Sequence, residues 1–349
     1  MVRRIGILTG GGDAPGLNAV IRAVYKVLDL EGIEVYGFKN GWSGPLNGII
    51  EKITPDMVSG IHRQGGTILG SSRTNVFNRE KYPDGPEMVV RNMSRLGLEG
   101  LIALGGEDTL GAARQFKEMG VNVLGVPKTI DNDIPGTDYC FGFDTAVTSA
   151  TCFLDNCRDT ARSHGIIDVV EIMGRHAGWI TLKSGVASGA DVIIIPEVSI
   201  SLDEILKALE NRRSRGKKHA IIAVSEGAEI PGLDFTDNGL DEFNHPKLEE
   251  RAIGKKLAKF IKSQTGIDTR SNVPGHFLRG GSPTPRDRFL GTELGAQAAI
   301  MAVNRDYGYM IAVKGDDVEP VDLGVVRGIK TVPSEKYWRA VKMSSMVSS

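Results

Sequence analysis

Cysteine is scarce: the three present, Cys140, Cys152 and Cys157, are odd in number and show neither the pairing of a disulfide framework nor the spacing of a zinc site. They read as reduced thiols. No run of about 18 uncharged apolar residues occurs, so no transmembrane helix is expected. Met1-Val2-Arg3-Arg4 passes straight into an apolar strand pattern, without the longer apolar stretch and small-residue cleavage site of a secretory signal. A cytoplasmic location is the expectation. An excess of charge of either sign is also missing: 42 Lys+Arg against 43 Asp+Glu leave a net charge of -1. No bulk field therefore attracts nucleic acid or an anionic membrane, and any recognition of an anion must be local. The histidines His62, His164, His176, His219 and His245 show no metal-ligand spacing.

Glycine is abundant by contrast, with 44 residues against the roughly 7% of an average composition. Many of these glycines end apolar runs, where a missing side chain lets backbone approach a ligand. A length of 349 residues and 41% hydrophobic content suffice for a large core and favour two lobes over one. Through the first two thirds of the chain, short apolar runs alternate with amphipathic stretches, the pattern of β-α units around a mainly parallel sheet. Strands are expected at Ile5–Leu8, Ile33–Phe38, Gly100–Leu104, Val121–Val126, Asp168–Met173, Asp191–Ile195 and His219–Val224. Helices are expected from near Gly16, Pro86, Thr109, Thr145, Trp179, Ser201 and Lys247, with Ser201-Leu-Asp-Glu204 in the form of a capping box. A change of character near Cys140–Asp144 marks the expected end of the first lobe, and the polar stretch Glu229–Pro246 reads as an exposed insertion.

Nearly every predicted strand ends in a polar or glycine-rich loop, and in open α/β sheets ligands lie beyond the carboxyl ends of strands. Thr9-Gly-Gly-Gly-Asp-Ala-Pro-Gly16 follows an apolar strand and opens a helix, an arrangement whose backbone amides favour phosphate. It lacks the Gly-Lys-Ser/Thr of a Walker loop and the spacing of the dinucleotide fingerprint, which argues against a nicotinamide dehydrogenase. The alternative is a tight turn. Gly105-Gly-Glu-Asp-Thr109 ends another strand with two carboxylates of the kind that hold Mg²⁺ beside phosphates, although Asp108 could equally cap the following helix. Pro127-Lys-Thr-Ile-Asp-Asn-Asp133 puts two carboxylates, an amide, a hydroxyl and an ammonium in seven positions. Phosphoryl transfer to an alcohol needs a carboxylate to accept the hydroxyl proton and positive charge over the phosphoryl oxygens; an Asx-turn-rich loop is the other reading. Met173-Gly-Arg175 and His276-Phe-Leu-Arg-Gly-Gly281 set arginine beside glycine, and Arg270 lies just upstream of the second, a combination suited to a phosphate monoester.

In order and spacing these five motifs resemble the phosphofructokinase family, over about Ile5 to Asp287. The resemblance implies an α/β fold of two Rossmann-like lobes with mainly parallel sheets and an active site in the cleft between them. Residues 1–141 with about 278–328 would form the phosphoryl-donor domain, and residues 142–277 with a C-terminal helix at about 329–349 the sugar-phosphate domain. It further implies a cytoplasmic glycolytic enzyme that uses Mg²⁺ and phosphorylates the 1-hydroxyl of fructose 6-phosphate. Asp131 would be the base, Thr129 and Asp133 would flank the transferring phosphoryl group, and Arg175 would stabilise its charge. Gly11, Arg73, Gly106, Asp108 and Lys128 match the donor side, and Glu107 the Mg²⁺ carboxylate. The sugar-phosphate pocket would take Thr129, Ile130, Asp131, Met173, Gly174, Arg175, Glu226, Arg270, His276, Phe277, Leu278 and Arg279. Arg270 would come from a neighbouring subunit, so a homodimer or homotetramer is implied.

Two departures stand out. Glu107 occupies a position that usually holds aspartate, and Ile166, in Ser163-His-Gly-Ile-Ile-Asp168, stands where the family usually has an arginine that grips the sugar phosphate across the subunit interface. A different acceptor, such as sedoheptulose 7-phosphate, or a non-catalytic phosphosugar-binding subunit are the alternatives this raises; intact Asp131, Asp133 and Arg175 argue against the second. For the donor, ATP-using relatives usually carry glycine at both positions matching Asp108 and Lys128, leaving room for the α-phosphate and ribose. Filled positions resemble the pyrophosphate-dependent members, although some mixed-substrate members with the same Gly-Gly-Glu-Asp-Thr loop look ATP-dependent.

Overall fold

A computed structural model describes residues 2–234, 239, 243, 248 and 251–343. Among the described residues there are eleven strands: β1 Arg4–Thr9, β2 Glu34–Phe38, β3 Ile50–Lys52, β4 Gly100–Gly105, β5 Val123–Pro127, β6 Ile167–Ile172, β7 Val192–Ile194, β8 Ala220–Ser225, β9 Thr269–Asn272, β10 Tyr309–Lys314 and β11 Asp317–Asp322. The chain divides into two compact units, the described residues of Met1–Thr145 with Arg279–Ile329, and of Ala146–Leu278 with Lys330–Ser349.

The first unit holds a seven-stranded sheet in the order β11-β10-β5-β4-β1-β2-β3. Its five inner strands pair in parallel, and only the edge strands β3 and β11 run antiparallel. β1, β4 and β5 are near-continuous apolar runs because helices cover both faces. Helix Leu17–Leu30 packs on helix Pro285–Asn304, where Gly291 and Gly295 allow close approach to the backbone of Gly16 and Val20. Thr284 caps that second helix by accepting from the Asp287 amide at 3.3 Å, with Pro285 in its first turn. Asp287 is fully buried and accepts from the Thr145 amide at 2.8 Å and from its hydroxyl at 2.6 Å. Burial pushes its carboxyl up to about 6.

In the second unit a four-stranded, all-parallel sheet has the order β7-β8-β6-β9. The expected capping box is present: Glu204 donates its amide to the Ser201 hydroxyl, and the Glu204 carboxylate accepts from the Ser201 amide at 2.7 Å. All three cysteines are free thiols, Cys140 and Cys157 buried and Cys152 exposed. No helix among the described residues is long and apolar enough to cross a membrane. The helix expected from near Lys247 starts on a residue outside those described; the described helix begins at Ile253. Most of the Glu229–Pro246 stretch also lies outside them.

Candidate active site

In the first unit the carboxyl ends of β1, β4 and β5 bring three of the predicted loops together. The Gly10 amide donates to Leu104 O on β4 at 2.8 Å, and the Lys128 amide donates to Gly105 O at 2.9 Å. The glycine loop is further tied to residues 70–73: the Gly11 amide donates to Ser72 O at 3.0 Å, the Ser71 hydroxyl to Gly11 O, and the Thr9 hydroxyl to Gly70 O at 2.8 Å. Arg73, exposed, lies at the end of this segment. Gly11 has φ 76°, a left-handed conformation that disfavours a side chain. Its amide and that of Gly10 are taken up by protein carbonyls, so neither is free for a bound phosphate.

Two cations converge on this loop. The buried Lys128 ammonium donates to Gly12 O. A guanidinium nitrogen of Arg279 stands 2.5 Å from where a Gly12 side chain would begin and donates to Asp13 O at 3.4 Å. Arg279, grouped with the acceptor residues on sequence, therefore lies against the glycine loop of the first unit. Burial, and after it the neighbouring Arg279 charge, push the Lys128 amine down to about 8; Asp13, Asp131 and Asp133 pull the other way.

The helix after β4 begins at Glu107 with Gly106 as its N-cap, so Asp108 is a first-turn residue and not the cap. Glu107 and Asp108, half-buried, face the positive end of that helix. Among the described residues no group of three or more His, Cys, Asp or Glu side chains could hold a metal. One or two carboxylates at the loop end fit Mg²⁺, which retains waters and binds chiefly through donor phosphates.

Residues 128–133 form a loop braced by its own side chains. Asn132 adopts φ 52° and its side chain accepts from the Cys140 amide at 2.9 Å, a loop-holding role of the Asx kind. Thr129 Oγ1 accepts from the Asp131 amide at 3.1 Å. Asp131 Oδ1 is buried and has no hydrogen-bond partner, which leaves an acceptor for a ligand hydroxyl. Ile130 is fully buried, so its side chain belongs to the core and only its backbone can meet a ligand.

In the second unit Met173-Gly-Arg175 follows β6 and meets the loop after β8. Gly174 O accepts from the Ser225 hydroxyl at 2.7 Å and the Gly227 amide at 3.2 Å, and the Gly174 amide donates to Glu226 Oε1 at 3.4 Å. Gly174 has φ 148°, and a side chain at Gly227 would overlap the Arg175 carbonyl. This packing holds Met173, Gly174, Arg175 and Glu226 in one cluster. His276 and Phe277 are exposed on the turn Gly275–Arg279, whereas Leu278 is fully buried.

Arg270 sits elsewhere. The β6–β9 register pairs it with Asp168, five residues before Met173 and so roughly 16 Å down the strand at about 3.3 Å per residue. Its exposed guanidinium lies 3.7 Å from Asp268. Ile166 lies near that same amino end of β6, buried, with its amide donating to Ala161 O at 3.1 Å.

The phosphofructokinase family profile matches residues 4–302. The pyrophosphate–fructose 6-phosphate 1-phosphotransferase of Dictyoglomus thermophilum is 44% identical, with 97% of each chain covered. That of Amycolatopsis methanolica is 47% identical over 97% of this chain and 98% of the relative. A Streptomyces coelicolor protein named ATP-dependent 6-phosphofructokinase 3 is 45% identical over the same shares. Among solved structures, Saccharomyces cerevisiae phosphofructokinase superposes with a TM-score of 0.80 at 27% identity, over 99% of this chain and 47% of that longer one. The pyrophosphate-dependent phosphofructokinase of Nitrosospira multiformis shares the fold with a TM-score of 0.83 at 21% identity, covering 95% of this chain and 86% of that one. Two units, each built on a sheet whose inner strands run parallel, place the chain in the α/β class. The chain belongs to the phosphofructokinase family.

Proposed function

We propose that the protein moves a phosphoryl group from pyrophosphate to the 1-hydroxyl of fructose 6-phosphate, giving fructose 1,6-bisphosphate. The observation that carries this reading is the buried Lys128 ammonium on the Gly12 carbonyl, close to Arg279. Two cations against the glycine loop suit a short, highly charged donor, while Asp108 disfavours the α-phosphate of a nucleotide by repulsion. Asp131 takes the proton of the attacking hydroxyl through its unpartnered oxygen, Thr129 and Asp133 flank the phosphoryl group, and Arg175 offsets its charge. Glu107 would hold a Mg²⁺, which when bound neutralises donor phosphate charge. The names of relatives at 44% and 47% identity support this donor and acceptor.

A homo-oligomer is part of the same reading. If Arg270 reaches the sugar phosphate, its position near the amino end of β9 requires it to come from a second copy. A cytoplasmic setting accords with it.

Initial rates with pyrophosphate and with ATP, each against several sugar phosphates, test the assignment. Pyrophosphate with fructose 6-phosphate is expected to give the highest kcat/KM, with ready reversal by phosphate. The second reading is ATP as donor, favoured by the 45%-identical relative of that name; wild-type protein turning over ATP at least as efficiently would establish it. ATP as donor would leave the phosphofructokinase chemistry in place.

Two further outcomes are expected. Because the Lys128 amine loses its charge as pH rises through about 8, kcat/KM for pyrophosphate should fall above that pH in the wild type. The limb should vanish in Lys128→Met. The sign for stability is opposite: the folded chain binds this proton less tightly than the unfolded chain, so this group's contribution to stability increases between about 8 and the ordinary 10.5. The second outcome concerns Ile166, which supplies no charge at the amino end of β6. Ile166→Arg should lower KM for fructose 6-phosphate about tenfold, the worth of one charge-assisted hydrogen bond. An unchanged KM would mean another group already fills the role; Arg158 is partly committed, to Gly189 O and Asp191, and Arg162 is exposed beside Asp159.

A further inference from the structure

On one face of the second unit's sheet, helix Ile253–Thr265 packs against β6 and β9 and leaves a cavity of about 420 Å³. That size is within the range of small-molecule sites. Strand alternation separates it from Arg270: Thr269 and Ser271 share the face of Glu171, while Arg270 and Asn272 point to the side of Asp168.

The lining is chemically two-ended. At the rim stand Lys255, Lys259 and Lys262, spaced four and three residues apart on one helix stripe. Like charges at such spacing repel. Among the described residues Lys262 is offset by Asp268 at 2.8 Å, whereas Lys255 and Lys259, both exposed, make no ion pair there. At the floor, Ser271 Oγ is buried without a hydrogen-bond partner. Beside it Glu171, 8% exposed, accepts from the Gly254 amide at 3.0 Å through Oε2 and, among the described residues, has no donor on Oε1. A carboxylate at the floor disfavours a bare anion there, and its free oxygen calls for a hydroxyl donor. Burial pushes the Glu171 carboxyl upward, consistent with a need for such a donor.

We propose that this cavity is a second ligand site, distinct from the phosphotransfer loops, that takes a phosphorylated polyol with its phosphate on Lys255 and Lys259 and its hydroxyls on Glu171 and Ser271. The site does not depend on which donor the enzyme uses.

The test is calorimetric titration of the full-length protein with glycerol 3-phosphate, glucose 6-phosphate and inorganic phosphate. Wild-type protein should bind at least one polyol phosphate. The double variant Lys255→Glu/Lys259→Glu should weaken it by about tenfold or more, with kcat/KM for fructose 6-phosphate within about twofold of wild type and an unchanged Tm. Ser271→Ala should weaken the polyol phosphates about fivefold and leave inorganic phosphate unaffected. Isotherms that superpose for wild type and the lysine variant with all three probes would overturn the site. Lysine-dependent binding that is equal for inorganic phosphate and insensitive to Ser271→Ala would reduce it to an anion patch and overturn the polyol assignment.

Discussion

Asp131→Asn is expected to lower turnover by about two or more orders of magnitude while fructose 6-phosphate still binds nearly as in the wild type. The substitution keeps the shape of the side chain and leaves the backbone amide that donates to Thr129 Oγ1 in place, so the 128–133 loop should hold. Asparagine has the same volume but cannot take a proton from the attacking alcohol, and loss of a general base costs rate more than ground-state binding. Steady-state rates combined with calorimetric binding of fructose 6-phosphate separate the two effects. Near-normal turnover would remove Asp131 from the role of base, and the unpartnered buried oxygen would need another explanation.

Replacing both Asp108 and Lys128 by glycine should shift donor use from pyrophosphate toward ATP. Lys128 contributes the buried ammonium against the glycine loop, and its loss should lower kcat/KM for pyrophosphate by about ten- to a hundredfold, the range for one charge-assisted contact. Asp108 occupies the first turn after β4, and removing its carboxylate should raise kcat/KM for ATP by relieving repulsion. The readout is the ratio of the two specificity constants, which does not depend on how much protein is folded. A ratio that stays fixed, or moves toward pyrophosphate, would sink the claim that these two positions select the donor. The result bears on the family, since relatives of nearly equal identity carry the names of both activities.

Much of the first unit was legible because its strands are buried on both faces. β1, β4 and β5 appear as unbroken apolar runs, and the expected ranges differ from the observed ones by one or two residues at their ends. The short edge strand β3 and the hairpin of β10 and β11 went unpredicted. β3 and β11 are largely solvent-facing and mix charges with apolar residues, so neither periodicity stands out. β9, Thr-Arg-Ser-Asn, has no hydrophobic residue at all; it is a strand because it completes the β6 edge. Helix Pro285–Asn304 carries a readable signal in Thr284-Pro285, an N-cap followed by a first-turn proline.

The sequence by itself determined the family and the chemical inventory: glycine loops, paired carboxylates and arginines occur at strand ends in a joint order that chance does not supply. Local chemistry was enough for that, because loop composition is written contiguously along the chain. Tertiary structure decided which groups face one another. It put Arg279 on the Gly12 loop across more than 260 positions of sequence, buried Lys128 and so lowered its amine, and committed the Gly11 amide to Ser72. It also set Arg270 near the strand end opposite Met173 by strand register alone. Desolvation, register and hydrogen-bond commitment are properties of neighbours in space, and neighbours in space are what strand pairing and helix packing create.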